Sequence, residues 1–250
     1  MLGSPTAPLD VPLPGPMDQC GGTLRWRGLQ LCTAPGVLPP WYSTEAVVAA
    51  VENRSLAGRR PQVVLDVGCG TGALGLFFAR RCPGATVTLV DICPRAAAAA
   101  QASVGANRTT LRRAGSTAHV LCGDGVSALN PAFRPDFVLC NLPFDPAPPR
   151  DGEPDVWGPL SGALRDPGYR VHEAVLTDLA RRLPGHGRVL LAASPTIGDV
   201  DHLHRLLAGT GLTVVDEVTF WFRTPRPSRP RATNAYSVLS LRRPPSHDDG

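Results

Sequence analysis

Short apolar runs alternate with stretches at helical spacing along most of this chain. Residues 63 to 67 (Val-Val-Leu-Asp-Val) form a short apolar run ended by glycines, and Ala73 to Arg81 reads as a helix. Thr86 to Val90, His119 to Cys122, Phe137 to Cys140 and Arg188 to Ala193 are further short strands. Between them lie an alanine-rich helix near 95–107, a helix marked by Val171, Val175, Leu179 and Leu183, and another near 199–209. Upstream, the glycines and prolines between Leu24 and Pro40 predict short strands or turns. Ser43 can cap a helix whose apolar face is Ala46, Val47, Ala50 and Val51. Two β-rich runs, Leu212 to Phe222 and Tyr236 to Leu241, close the pattern. Strands alternating with helices predict a doubly wound parallel sheet covered on both faces. The last two strands have no helix between them, and a parallel crossover needs one, so they are expected to pair as an antiparallel hairpin.

At 250 residues and 43% hydrophobic composition the chain has the size of one domain with tails. Residues 1–18 hold five prolines and no periodic pattern, so they are expected to be a disordered tail, with a second tail at 244–250 and the domain proper at 19–243. Every one of the 25 basic residues is arginine. Six of these fall between Arg223 and Arg243 without an acid, which leaves 19 arginines against 21 acids elsewhere. A generally basic nucleic-acid surface is therefore not supported, whereas one local basic segment is. Seven cysteines without Cys-x-x-Cys or zinc spacing read as reduced, buried small hydrophobes, with Cys122 and Cys140 inside apolar runs, and no metal site is expected. No apolar run is long enough for a membrane helix and no signal-peptide pattern opens the chain, so a cytoplasmic protein without a membrane partner is expected.

Candidate chemistry collects at strand ends. Asp66-Val-Gly68-Cys69-Gly70-Thr-Gly72 follows the first apolar run and opens a helix, which suits close approach of backbone to a ligand and an anion at the helix N-terminus. Gly70-x-Gly72-x-x-Gly75 also satisfies a dinucleotide fingerprint. Asp91, 19 residues after Gly72, ends the second strand where a carboxylate can accept both ribose hydroxyls, in a nicotinamide or an adenosyl cofactor alike. Asp124, in Gly123-Asp124-Gly125, ends the third strand, where it can accept from an adenine amine or simply cap the loop. Asn141-Leu142-Pro143-Phe144 ends the fourth. Open α/β sheets bind ligands along this edge.

Taken in register, the glycine loop, Asp91, Asp124 and Asn-Leu-Pro-Phe resemble the four successive motifs of class I S-adenosylmethionine-dependent methyltransferases. Within that family, an Asn-Pro-Pro-Tyr/Phe sequence marks enzymes that methylate amide or exocyclic nitrogens, and the chain looks like the release-factor glutamine methyltransferases in particular. Gly36-Val-Leu-Pro-Pro-x-x-x-Thr44-Glu45 resembles the segment that precedes their core. The resemblance implies a Rossmann-like, seven-stranded, mostly parallel sheet with an antiparallel C-terminal hairpin, and S-adenosyl-L-methionine as cofactor. It implies cofactor contacts from Asp66, Gly68, Cys69, Gly70, Gly72, Asp91, Ile92, Gly123, Asp124 and Asn141, and a catalytic loop of Asn141, Leu142, Pro143 and Phe144. Leu142 stands where the family has proline, which leaves the backbone carbonyl in place but loosens the loop.

These residue types fit a nitrogen acceptor. An amide or aromatic amine has a delocalised lone pair, so its NH2 must be held in line and its developing charge stabilised. Asn141 Oδ1 and the Leu142 carbonyl can each accept one N–H, and the Phe144 ring can lie over a planar acceptor. Asp145 can take the released proton or cap the loop. The expected partner is a methyl acceptor: a protein glutamine, then a natural-product amine or amide, then an RNA base amine. The rivals are a nicotinamide dehydrogenase, an enzyme that consumes adenosylmethionine without methylating, and an inactive binding scaffold. A dehydrogenase would need a placed His or Tyr for hydride transfer, which the sequence does not show; His202 and His204 alternate as metal ligands sometimes do, but two apart on a helix they face apart and are expected to be solvated or half-buried. The strand before the last is expected to end on the cofactor rim near Phe222, which would bring Arg223, Arg226, Arg229 and Arg231 beside Phe144 as substrate contacts.

Overall fold

The apolar runs become strands because each is short and flanked by turn residues, and the central ones are buried on both faces, as parallel sheets require. The computed structural model describes residues 22–52, 60–148, 161–224 and 232–244. The chain opens with a hairpin, β1 (Gly22–Trp26) and β2 (Leu29–Thr33), turned through Arg27 and Gly28, both at positive φ. Helix α1 (Tyr42–Ala50) leads to β3 (Val63–Val67), α2 (Ala73–Arg81), β4 (Thr86–Asp91), α3 (Pro94–Ala106), α4 (Arg108–Ala114) and β5 (Thr117–Cys122). Next come a 3-10 turn over Gly125–Ala128, β6 (Phe137–Cys140), the short α5 (Ser161–Leu164) and a second 3-10 turn over Pro167–Tyr169. The last elements are α6 (Arg170–Arg182), β7 (Arg188–Ala193), α7 (Val200–Thr210), β8 (Thr213–Thr224) and β9 (Ala232–Arg242).

Seven of these strands form one sheet in the order β5-β4-β3-β6-β7-β9-β8. Strands β3 to β7 are mutually parallel, and β9 is antiparallel to both β7 and β8, so the expected closing hairpin is present. From β3 the chain winds outward through β4 to β5, then crosses back to β6 on the other side of β3. The direction reverses between β3 and β6, and that switch point puts a crevice beyond their C-terminal ends. Strand β6 shows how one run serves two layers. Phe137 and Leu139 join the core under α1, α2 and α3, whereas Val138 and Cys140 join the core under α6 and α7.

The N-terminal hairpin is tied down by polar contacts. Glu45 of α1, nearly buried, accepts from Trp26 Nε1 at 2.7 Å and from Arg27 Nη2 at 2.7 Å, and Ser103 Oγ of α3 accepts from the Cys32 amide at 2.8 Å. Two expectations need correction here. Ser43 is inside α1 and buried rather than capping it; the helix starts one residue earlier, and Thr44 Oγ1 accepts from the Trp41 amide instead. Cys122 is exposed, because β5 is the sheet's edge strand; Cys140 is buried as expected. The tails expected at 1–18 and 244–250 fall, Pro244 apart, outside the described residues. No helix among the described residues is long and apolar enough to cross a membrane, and no cluster of them could hold a metal ion.

Candidate active site

A cavity of about 540 Å³ opens at the C-terminal ends of β3, β4, β5 and β6, within the size range of small-molecule sites. Asp66, Gly68, Cys69 and Gly70 line it from β3, Asp91 and Ile92 from β4, Asp124 from β5, and Asn141, Leu142 and Pro143 from β6. The glycine loop is held by its neighbour strand: the Gly68 and Cys69 amides donate to the Val90 carbonyl at 2.9 and 3.1 Å. The Gly70 amide donates to Asp91 Oδ2 and the Cys93 amide to Asp91 Oδ1, each at 2.9 Å. Asp91 is thereby fixed at the rim while its remaining lone pairs stay available. Ile92, 67% exposed, presents an apolar shelf beside it.

Asp66 is the buried carboxylate of the wall. It is 1% exposed, and its Oδ2 accepts from the Gly75 amide at 2.8 Å. Burial, reinforced by the nearby Asp91 charge and only partly opposed by the Gly75 bond, pushes its pKa up to about 7. A Cβ on Gly75 would meet Leu89 at 2.8 Å and Asp66 at 3.1 Å, so only glycine lets α2 approach this close. The Cys69 and Cys140 thiols are raised well above their ordinary range by burial, with Asp66 adding to both, so neither is a nucleophile. Asp124 begins the Gly125–Ala128 turn, but its side chain makes no capping bond there.

The β6 exit carries an unmatched acceptor. Asn141 Nδ2 donates to Thr44 Oγ1 at 3.4 Å, and Asn141 Oδ1 is buried without a hydrogen-bond partner. A buried acceptor left so is costly unless a ligand supplies the donor. Beyond it the loop is anchored from behind. Tyr169 Oη donates to the Phe144 carbonyl at 3.4 Å and accepts from the Asp199 amide at 2.8 Å. The Tyr169 backbone is left-handed, φ 57°. Its ring packs edge-on against His172, whose Nδ1 lies 2.7 Å from Asp166 Oδ2, with both partners 1% exposed.

Residues 39–151, the stretch that contains the glycine loop, both rim aspartates and Asn141 to Phe144, match the family model of the methyltransferase small domain. The fold of the chain is shared with solved methyltransferases. The release factor glutamine methyltransferase of Gloeobacter violaceus is 40% identical over 136 residues, 53% of this chain and 44% of that one. The ribosomal RNA small subunit methyltransferase C of Pseudomonas entomophila is 35% identical over 116 residues, 46% and 32% respectively. The chain thus matches less than half the length of either relative. Among solved structures, the T. thermophilus 16S rRNA N2 G1207 methyltransferase, in complex with AdoMet and guanosine, superposes with a TM-score of 0.56 at 23% identity, over 90% of this chain and 50% of that one.

Four residues expected at the methyltransferase site lie off the cavity wall. Gly72 starts α2 at φ 78°, where a Cβ would meet Leu89 at 3.1 Å, so it serves the turn. A Cβ on Gly123 would meet Ala128 at 2.5 Å, so that glycine serves the following turn. Phe144 is buried with its ring edge-on to Tyr236, 5.9 Å between centroids, and so does not lie over an acceptor. Arg223 is exposed on the edge strand β8 and does not line the cavity, although β8 does run parallel to β7 and ends at this rim as expected. Arg226, Arg229 and Arg231 lie outside the described residues. Asp145 caps its own loop: it accepts from the Ala147 amide at 3.0 Å, with Arg165 Nε 3.9 Å away. Sequence reasoning missed the far wall, formed by Gly36 to Pro40, Thr44, Arg95, Gly162, Ala163, Arg165, Val171 and Val175. Only the Pro-Pro-x-x-x-Thr-Glu segment pointed to part of it.

Proposed function

We propose that the chain is an S-adenosylmethionine-dependent N-methyltransferase acting on a planar amide nitrogen, foremost a protein glutamine side chain. The observation that carries this reading is the partnerless, buried Oδ1 of Asn141 in the wall of an acid-lined cavity. The relatives named for release-factor glutamine support the acceptor, and the ribosomal RNA relative supports a base amine as the second reading.

The residues present fit the cofactor. Three carboxylates, Asp66, Asp91 and Asp124, surround the cavity and suit a cationic ligand bearing a ribose and an amine, while Ile92 offers an apolar surface for a flat base. S-adenosylmethionine, when bound, supplies a methyl group activated by a sulfonium charge. The chain's own contribution is placement. Asn141 Oδ1 accepts one N–H of the acceptor and the Leu142 carbonyl a second, so the NH2 is oriented and the positive charge that develops on nitrogen meets two oxygen dipoles. These contacts strengthen as that charge grows, which is what accelerates a reaction. Asp145 does not line the cavity; it is turned toward the Ala147 amide and Arg165.

Radiolabelled methyl transfer to a release factor, with the modified peptide identified by mass, tests the assignment. Wild-type chain is expected to methylate a glutamine. Asn141→Ala should hold cofactor affinity in calorimetry yet lose about a hundred- to a thousandfold in turnover, as when one preorganised donor is removed from an oxyanion hole. Label on an RNA base instead would move the assignment to the second reading, and full activity in Asn141→Ala would remove the mechanism.

A further inference from the structure

We propose that the face built by the N-terminal hairpin, α2, α3 and α4 is a docking surface for the phosphate backbone of RNA. Such a surface is independent of which nitrogen the chain methylates.

Arginines and acids nearly balance along most of the chain, but the fold segregates them. The hairpin, α2, α3, α4 and β5 contain no aspartate or glutamate. The hairpin carries Arg25 and Arg27, and α2 carries Arg80 and Arg81. Arg95 lies in the first turn of α3, and α4 adds Arg108, Arg112 and Arg113. On the other side of the sheet α6 and α7 mix both signs, with Glu173, Asp178 and Asp201 among their arginines. Two arginines of the basic face are engaged: Arg27 pairs with Glu45 and Glu52, and Arg80 Nη1 donates to the Arg27 carbonyl. Arg25, Arg81, Arg95, Arg108, Arg112 and Arg113 are exposed, and none has an acidic partner among the described residues. Asp136, at the foot of the sheet, is taken up by the Gln62 and Val63 amides. Like charges gathered without counter-charges repel one another, a cost that an anionic partner removes.

Packing joins these arginines, scattered in sequence, into one surface. Arg25 lies across the hairpin from Gln30, whose backbone exchanges two hydrogen bonds with the Asn107 side chain, at 3.2 and 2.7 Å, and Arg108 follows. At the other end of α4 the Ala114 carbonyl accepts from the Gly84 amide at 2.9 Å, which sets Arg112 and Arg113 beside the end of α2 that carries Arg81. From Arg108 the 13-residue α3 runs back about 20 Å to Arg95, which lines the cavity. Between them α3 exposes Ala98, Gln101, Ala102 and Ala106, a low, uncharged strip that a phosphate backbone can approach closely. A strand of RNA along this strip reaches the mouth of the cavity.

The partner follows from the same chemistry. Guanidinium groups pair with phosphate oxygens two at a time. A protein partner would call for an apolar centre. Among the described residues, the large exposed apolar side chains bordering this face are Ile92, in the cavity wall, and Leu121, on the edge strand; the others lie on α6 and β8. Duplex DNA is read by an element that enters its major groove, whereas α3 packs flat against β4 and β5, and α4 is seven residues long. Helical RNA is recognised by shape and phosphate contacts across a wide, shallow groove, which suits a flat basic surface.

Fluorescence anisotropy with the full chain and a labelled RNA hairpin bearing a single-stranded tail tests the surface. Wild type should bind with a slope of log K against log salt of about −4, as some five neutralised phosphates give. Arg108→Gln, Arg112→Gln and Arg113→Gln combined should weaken binding about ten- to hundredfold and reduce the slope by about 2. Its thermal melt and adenosylmethionine affinity should stay as in wild type. Arg181→Gln with Arg205→Gln, on α6 and α7, should leave RNA binding unaltered. Duplex DNA and polyglutamate should bind more weakly than the RNA. Wild type that does not bind RNA, an α4 variant that binds it as well as wild type, or an equal loss in the α6 and α7 variant overturns the surface. DNA or polyglutamate bound as tightly as RNA overturns the choice of partner. Methyl transfer to a release factor is a separate readout, whose failure removes the acceptor reading and leaves RNA binding to be decided by anisotropy.

Discussion

Asp66 and Asp166 are equally buried, each 1% exposed, yet their carboxyls are driven in opposite directions. Asp66, in the wall of the cavity, has one backbone donor and a like charge nearby, and burial raises its pKa to about 7. Asp166, behind the Asn141 loop, also feels burial as its largest influence. There the His172 ring and the Val171 and His172 amides all donate to it and outweigh burial, so its pKa is lowered. Burial by itself therefore does not say whether a carboxylate is charged; the number of donors facing it does. The two sites divide the work accordingly. The under-solvated carboxylate faces the place where a cationic ligand is proposed, and the fully solvated one pins the start of α6 behind Phe144.

The opposite shifts give opposite pH signatures. A lowered acid pKa contributes stability that is present above the ordinary carboxylate range and lost as pH falls through the folded value. A raised acid pKa contributes stability that is present below about pH 4 and lost as pH rises toward about 7. The largest effect is expected from Asp166→Ala, which strands two buried donors of His172 and the part-buried Val171 amide: about 3–5 kcal/mol lost at neutral pH in urea denaturation. The variant should also lose the part of the acid-side slope that Asp166 contributes. An unchanged acid limb would show that Asp166 is not held charged.

Asp66→Asn should do the reverse. The Gly75 amide keeps an acceptor, and the cost of a buried charge is gone. A carboxyl raised to about 7 from its ordinary range corresponds to up to about 4 kcal/mol, so the variant should match wild type at pH 4 and exceed it increasingly up to pH 8 without ligand. Equal stability across that range would mean that Asp66 ionises as easily as an exposed carboxylate. Asp91 sharpens the contrast from a third position. It has two amide donors but only partial burial, and it sits where a ribose would bind. Asp91→Ala should leave the fold intact and weaken adenosylmethionine about ten- to hundredfold in calorimetry, since hydrogen bonds to a charged acceptor contribute roughly 1.5–3 kcal/mol. Unaltered affinity would undo its assignment as the cofactor's ribose acceptor.

The difference between these regions also explains what could be read from the chain beforehand. Asp66 and Asp91 lie at the C-terminal ends of apolar runs that read as central strands, so their place at the ligand-binding end of the sheet is fixed by local pattern. The closing hairpin was legible for the same reason, since β8 and β9 have no room for a crossover. Asp166 carries no such signal. Its partner His172 is six residues on, and the intervening Gly168 and Tyr169 take left-handed conformations that no periodicity announces. Helix α4 was invisible because only Leu111 of it is buried, so it shows no apolar face. Asn141 and Leu142 were legible as a motif, but the motif does not tell which way a ring turns: Phe144 enters the core because Tyr236 offers it a partner. The far wall, from Gly36 to Val175, is assembled by packing, and only its Pro-Pro-x-x-x-Thr-Glu part was legible.

Tyr169 links the two regions, and its hydroxyl gives the smallest effect. It joins the Phe144 carbonyl to the Asp199 amide, so Tyr169→Phe removes two hydrogen bonds and leaves the ring contacts with His172 and His202 intact. The Asp199 residue is exposed and its amide bond to Tyr169 is only part-buried, so water can replace the lost partner and the cost should be about 1 kcal/mol. In a chain of this length that lowers Tm by about 2–4 °C. The hydroxyl is neutral throughout the physiological range, because burial first, then the Asp199, Asp166 and Asp145 carboxylates, raise its pKa. The loss should therefore be the same at pH 5 and pH 8, unlike that of either aspartate variant. A loss that grows toward acid pH would mean that the phenol works through Asp166, and the two regions would then be one titrating unit rather than two.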